Sequence, residues 1–182
     1  MTRIVTPDSI EASPMASRPL LEAVKKMLGS VPNLFRVVGN SPAALEGYLG
    51  LNGALAKGAL DGKTRERIAL AVAEINGCDY CLAAHSFMGK NLARLDDTEI
   101  LANRRGTSTD AKADAAVRFA VSVTNARGHV GASELAAVKA AGFGDAEIVE
   151  IVLHVALNTL TNYVNNVAET VVDFPAAKPL AA

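Results

Sequence analysis

Within residues 74–85, EINGCDYCLAAH, the segment from Cys78 to His85 has the spacing Cys-x-x-Cys-x-x-x-His. These are the chain's only cysteines, and His85 is one of three histidines. On a helix each residue advances by about 100°, so Cys78, Cys81 and His85 fall within about 60° of one another on one face. Two thiols at this spacing can close a disulfide, so that one attacks an electrophile and the other resolves the product. A histidine one turn beyond Cys81 can act as a base or proton carrier near neutral pH. Cys78 follows Gly77 at a helix start, where free N–H groups and the helix dipole favour the nucleophilic thiolate.

Two other chemistries use the same residues. Zinc wants four tetrahedral ligands, so His129 or His154 must supply the fourth from elsewhere in the chain. Alternatively, the cysteines are two small buried hydrophobes. In a reducing cytoplasm a Cys-x-x-Cys pair points to redox or metal chemistry rather than to a structural staple. A redox thiol also needs a proton route. Glu66 precedes Gly77 by about 16 Å of helical rise and His85 follows it by about 12 Å. If the chain reverses at Asn76-Gly77, Glu66 comes nearer to His85 than to Cys78, in the order Glu66–His85–Cys. Arg65 and Arg67 flank Glu66, so a solvated surface charge is the competing reading.

The elements that must position these groups are helical. RPLLEAVKKMLG carries an apolar stripe closed by Gly29, and VPNLFRVVGNSP gives a short helix opened by Pro32 and closed by Gly39-Asn40. Pro42 opens a longer helix to about Lys57. DGKTRERIALAVAEING is a further helix, ended by Asn76-Gly77, and the next one runs from the cysteines to about Leu95. Asp96 or Asp97 caps the following helix. Residues 110–127 form another, Ser133 caps a short one, and a last helix covers about 145–172. No segment alternates in the manner of a strand. The expectation is an all-α fold of about eight or nine helices, with residues 1–18 an extended arm and residues 19–182 one domain.

Composition narrows the function. The 182 residues carry a net charge of −1, and the adjacent basic pairs are only Lys25-Lys26 and Arg104-Arg105, so no basic face for nucleic acid is expected. Aromatic residues make up 4% with no Trp, too few for base-stacking platforms. No apolar stretch has the length of a membrane span, and the N-terminus lacks a signal-peptide core, so a cytoplasmic protein with no membrane partner is expected.

The segment KTRERIALAVAEINGCDYCLAAHS resembles the core of the carboxymuconolactone decarboxylase-like superfamily, on its alkyl hydroperoxidase D (AhpD-like) side, and most closely its peroxidase-related branch. VPNLFRVVGNSPAALEGY and NNVAETVVDFP resemble that branch too, so the likeness covers most of the chain after residue 25. Glu66, Cys78, Cys81 and His85 fall at the family's spacing. The resemblance implies an AhpD-like helical fold, assembly as a homo-trimer or hexamer, and reduction of small organic hydroperoxides. It implies no bound cofactor and no metal, but an external dithiol or disulfide-reductase as electron donor. On this reading Cys81 attacks the peroxide and passes through a sulfenic acid, Cys78 resolves it, and Glu66 and His85 relay protons. The helix-terminus argument favours Cys78 as attacker; the family assignment to Cys81 is adopted, since His85 lies one turn from it.

One departure stands out. Members of the family often carry His before the second cysteine, where this chain has Tyr80. A phenol is a poor base at neutral pH but can offer a substrate contact by donating a hydrogen bond to a peroxide or sulfenate oxygen. Glu147, Thr159, Asn162 and Asn166 repeat the offsets of Glu66, Cys78, Cys81 and His85, which suggests an internal duplication. Two alternative functions remain: a redox-sensing or vestigial pair on an assembly or binding protein, and a carboxymuconolactone decarboxylase-type enzyme, a branch that does not depend on the cysteine pair.

Overall fold

Gly29 and Gly77 adopt positive φ angles, 81° and 58°, and each stops a helix where the sequence predicts a stop. Such a backbone favours glycine because any Cβ clashes there. The computed structural model describes residues 2–180. Met1 of the expected arm, and Ala181 and Ala182, lie outside the described residues. A 3-10 turn, Met15–Ser17, leads into helices α1 (Arg18–Leu28), α2 (Asn33–Val38), α3 (Pro42–Leu55), α4 (Gly62–Ile75) and α5 (Asp79–Asn91). There follow α6 (Asp97–Arg104), α7 (Ala111–Asn125), α8 (Ala132–Ala140) and α9 (Asp145–Ala168). The described residues form an all-α fold of nine α-helices with no strand.

Helix α4 is the centre. Ile68 through Ala73 are all buried, so the helix is apolar around most of its circumference, as a helix with neighbours on several sides must be. It packs against α5, α6, α7 and α9. Its alanines keep the packed surface slim on several faces. Ile68 and Val72 join Phe119, Phe143 and Ile151 in one apolar core, while Ala73 joins Leu21, Phe35, Leu45 and both cysteines in another. The cysteines therefore sit inside a core and not at the surface.

Polar staples fix the periphery. Buried Glu99 takes hydrogen bonds from Asn103, Ser108 and Thr109 and pairs with Arg67 at 2.6 Å. Burial raises its pKa, but these donors outweigh burial and hold the carboxyl at about 2. Arg67 is thus committed to Glu99 and does not screen Glu66.

Four element ends differ from the sequence expectation. Helix α8 is capped at Gly131, whose N–H donates to the Glu134 carboxylate at 2.6 Å, so the cap comes from Glu134 and not from Ser133. Helix α5 stops at Asn91 rather than about Leu95, and α3 stops at Leu55 rather than Lys57. Helix α9 ends at Ala168, four residues short of 172: Glu169 turns left-handed (φ 49°) and Thr170 N–H closes back on the Asn165 carbonyl at 3.1 Å. The released segment has a task. The Val171 carbonyl accepts from Asn33 Nδ2 at 3.0 Å, and Asp173 Oδ2 accepts from Asn33 N–H at 2.8 Å, supplying the start of α2 with partners that Pro32 lacks.

Candidate active site

The reversal at Asn76-Gly77 is tight because two capping devices share it. Gly77 N–H bonds to the Glu74 carbonyl (3.1 Å) and Cys78 N–H to the Ala73 carbonyl (3.0 Å), the paired closure of a Schellman motif. Cys78 is at the same time the N-cap of α5, its Sγ accepting from Cys81 N–H at 3.4 Å. Helix α9 clamps the turn: Asn76 Nδ2 donates to Asn162 Oδ1, and Asn166 Nδ2 to the Asn76 carbonyl, both at 2.9 Å. Helices α4 and α5 consequently lie side by side, and His85 Nδ1 meets Glu66 Oε2 at 2.9 Å. The side chains of His85 and Glu66 are only 18% and 20% exposed, which removes the reading of Glu66 as a solvated charge.

The two thiols are inequivalent. Cys78 is fully buried, whereas Cys81, 2% exposed, lines a cavity of about 260 Å³ together with Glu66, Tyr80 and His85. A hydrogen bond between the cysteine side chains pushes the Cys78 pKa up, and burial adds to the rise. The same bond lowers the Cys81 pKa to about 6 against the opposition of burial, helped by the charge of His85 and by Asn165 and Asn162. Asn165 Nδ2 donates to Cys81 Sγ at 3.3 Å. Burial lowers the His85 pKa, but the charge and hydrogen bond of Glu66, with Cys81 adding to them, leave it raised. The proton thus stays on Cys78 and the negative charge collects on Cys81, where positive charge on His85 favours it. The helix-start argument for a Cys78 thiolate is outweighed here: the Cys81 N–H does favour the anion, but the hydrogen bond to the Cys81 side chain and burial prevail, and Cys78 does not line the cavity.

Tyr80 serves the scaffold. Its hydroxyl accepts from Leu34 N–H at 3.1 Å, and its ring meets Phe174 edge-on with centroids 5.8 Å apart. Burial, and a hydrogen bond with the Asp173 carboxylate, push its pKa up against the Leu34 bond. Tyr80 thus lines the cavity and ties α5 to the start of α2.

Several cavity and thiol neighbours lie outside the sequence-derived set. Asn162 and Asn165 face the thiols, and Arg65, His154 and Asn158 line the cavity. The signal for the α9 residues is a polar series, Asn158, Thr161, Asn162 and Asn165, on a face that burial should make apolar. The suggested duplication does not survive: Glu147 to Asn166 run along one uninterrupted helix, whereas Glu66 to His85 cross a chain reversal. Glu147 merely caps α9, accepting from Gly144 N–H at 2.8 Å. His129 is exposed in the loop after α7, and among the described residues no three His, Cys, Asp or Glu side chains group as a metal site.

Comparison with known proteins agrees with this architecture. Residues 42–120, which include Glu66 and the cysteine pair, match the carboxymuconolactone decarboxylase family. An uncharacterized protein of Haemophilus influenzae is 42% identical over 64 residues, covering 35% of this chain and 51% of that protein, so the chain matches about half the length of this curated relative. The crystal structure of an alkylhydroperoxidase AhpD core, an uncharacterized peroxidase-related protein from Ralstonia eutropha JMP134, superposes with a TM-score of 0.84 at 23% identity, covering 94% of this chain and 92% of that one. The debrominase Bmp8, solved with 2,3,4-tribromopyrrole as a cysteine-to-alanine variant, gives a TM-score of 0.78 at 19% identity over 95% of this chain and 93% of that one.

Proposed function

The chain carries a carboxymuconolactone decarboxylase family segment in an AhpD-like helical fold, and from that premise we propose that it is a thiol-dependent peroxidase acting on small organic hydroperoxides. The observation that carries this reading is the division of labour between the thiols: Cys81 faces the cavity with its pKa lowered to about 6, and Cys78 is hydrogen-bonded behind it. The Cys81 thiolate attacks the terminal peroxide oxygen. The O–O bond breaks, the alkoxide takes a proton from the His85–Glu66 pair and leaves as alcohol, and Cys81 becomes a sulfenic acid. Cys78 then gives up its proton and attacks the Cys81 sulfur, a disulfide forms, and the sulfenic oxygen departs as water. An external dithiol returns two electrons and restores both thiols. The reaction requires no bound cofactor or metal.

The test is a titration of reduced protein with cumene hydroperoxide in the absence of any reductant. One peroxide should disappear for every two thiols lost, giving one alcohol and one disulfide. Unchanged thiols after peroxide treatment sink the peroxidase reading. Because a debrominase shares the fold, 2,3,4-tribromopyrrole belongs in a parallel arm; thiol oxidation by it alone reassigns the electrophile from peroxide to halide.

The assembly proposal has its own support. On the outer side of α9, Val149, Val152, Leu160, Tyr163 and Val167 recur at helical spacing and are exposed, a stripe of the kind buried between helices of neighbouring subunits. We propose a second copy of the chain as the occupant of this stripe. Light scattering should return a trimer or hexamer, and replacing Val152 and Leu160 with Glu should reduce its mass. A monomeric mass for the wild type removes this proposal.

A further inference from the structure

The cavity has a polar end that the thiol chemistry leaves unused. Arg65 of α4 and His154 and Asn158 of α9 line it. His154 is 5% exposed, and its Nε2 is buried without a hydrogen-bond partner. Buried polar atoms are rarely left so unless something outside the chain satisfies them. Burial and then the Arg65 cation hold this imidazole down to about 4, so near pH 7 it is neutral and offers one donor and one acceptor. One helical turn on, Asn158 Nδ2 donates to the His154 carbonyl at 2.8 Å, which anchors its amide on the same face.

Arg65 is the charged member. Its Nη1 donates to the Leu55 carbonyl at 3.2 Å, and it joins no ion pair among the described residues. The nearby carboxylates are already occupied. Glu66 bonds His85, and Glu150 takes the Ala59 and Leu60 N–H groups at 2.9 and 3.0 Å. A guanidinium has five N–H donors in a fork that matches a carboxylate, so most of this one's capacity remains for a ligand. Much of the rest of the wall is apolar, with Met27, Leu28, Leu34, Phe35 and Met88 prominent beside the more polar Tyr48, Asn52 and Thr161. A volume of about 260 Å³ lies below the usual drug-sized range and suits a body about as large as a substituted benzene.

We propose that Arg65, with His154 and Asn158, forms a carboxylate-binding subsite, so that the preferred ligand is a small organic acid with an apolar body whose opposite end reaches Cys81. The identity of that reacting end, a hydroperoxide, rests on the peroxidase reading; the subsite does not.

The test separates the two by using a ligand that cannot be reduced. Reduced protein is titrated calorimetrically with 4-isopropylbenzoate and with its uncharged methyl ester. The acid should bind at least tenfold more tightly than the ester. Arg65→Gln should erase most of that preference, while Arg65→Lys, which keeps charge but loses the fork, should retain part of it. Equal binding of acid and ester by the wild type, or an undiminished preference in Arg65→Gln, overturns the proposal. The wild-type comparison decides even if a variant fails to fold. Thiol oxidation by cumene hydroperoxide without any acid preference removes the subsite alone. An acid preference in a protein that no peroxide oxidises keeps the subsite and removes the peroxidase.

Discussion

Cys81→Ser is expected to abolish hydroperoxide consumption, lowering the second-order rate by roughly 10³-fold or more, because a serine hydroxyl in the same place is almost wholly protonated near pH 7. Cys78→Ser should behave differently. Its cavity-facing Cys81 still attacks, so one peroxide is consumed per chain and the reaction then stalls at a sulfenic acid with no partner thiol. Dimedone should label Cys81 in that variant, and peptide mass analysis would locate the adduct. The difference follows from burial: Cys78 is fully enclosed and its raised pKa keeps it a thiol, whereas Cys81 borders the cavity. Equal turnover by wild type and Cys81→Ser would end the peroxidase reading. A dimedone adduct on Cys78 in the Cys81→Ser variant, formed at the wild-type rate, would exchange the two roles.

The sequence made the catalytic turn legible and hid much of its surroundings, for a physical reason. Helix stops, caps and i, i+4 relations are local, and local rules brought Glu66 to His85 through Gly77, as the 2.9 Å contact bears out. The partners supplied from distant elements obey no such rule. Asn165 reaches Cys81 across 84 residues, and Asp173 reaches the start of α2 across 140. Local pattern also misled where a distant demand overrode it: the helical register of α9 could continue to 172, yet the segment after Ala168 is withdrawn to satisfy α2 and to set Phe174 against Tyr80. Tyr80 illustrates both sides. Its departure from the family pattern is visible in the sequence, but its role as a brace is visible only with Leu34 and Asp173 beside it.

Glu66→Gln should lower the rate at pH 7 by about 2- to 10-fold and leave a deficit that shrinks as pH is raised. Glu66 acts on the thiol through His85: its charge and hydrogen bond overcome the burial that otherwise lowers the imidazole pKa. Glutamine keeps a hydrogen bond but removes the charge, so burial prevails and the imidazole loses its proton. Cys81 then lacks a cationic neighbour but keeps its bonds to Cys78 and Asn165, so its pKa rises from about 6 part of the way toward the ordinary thiol value of 9.0. A thiol of pKa about 6 is roughly 90% ionised at pH 7, while one of pKa 7–8 is about 10–50% ionised, which sets the size of the loss. The sign is fixed by the form that reacts. In the wild type the rate rises as pH passes upward through about 6 and the thiolate forms; in Glu66→Gln that limb moves about one to two units higher. Cys81 and Cys78 titrate as a pair, so the wild-type limb reports the first deprotonation of the pair and not one residue alone. A merely structural role for Glu66 predicts another outcome, an equal loss at every pH with the limb unmoved. Stopped-flow oxidation of the reduced variant by cumene hydroperoxide from pH 5 to 9 distinguishes them, because only the electrostatic chain from Glu66 through His85 to Cys81 makes the lost rate recoverable by added base.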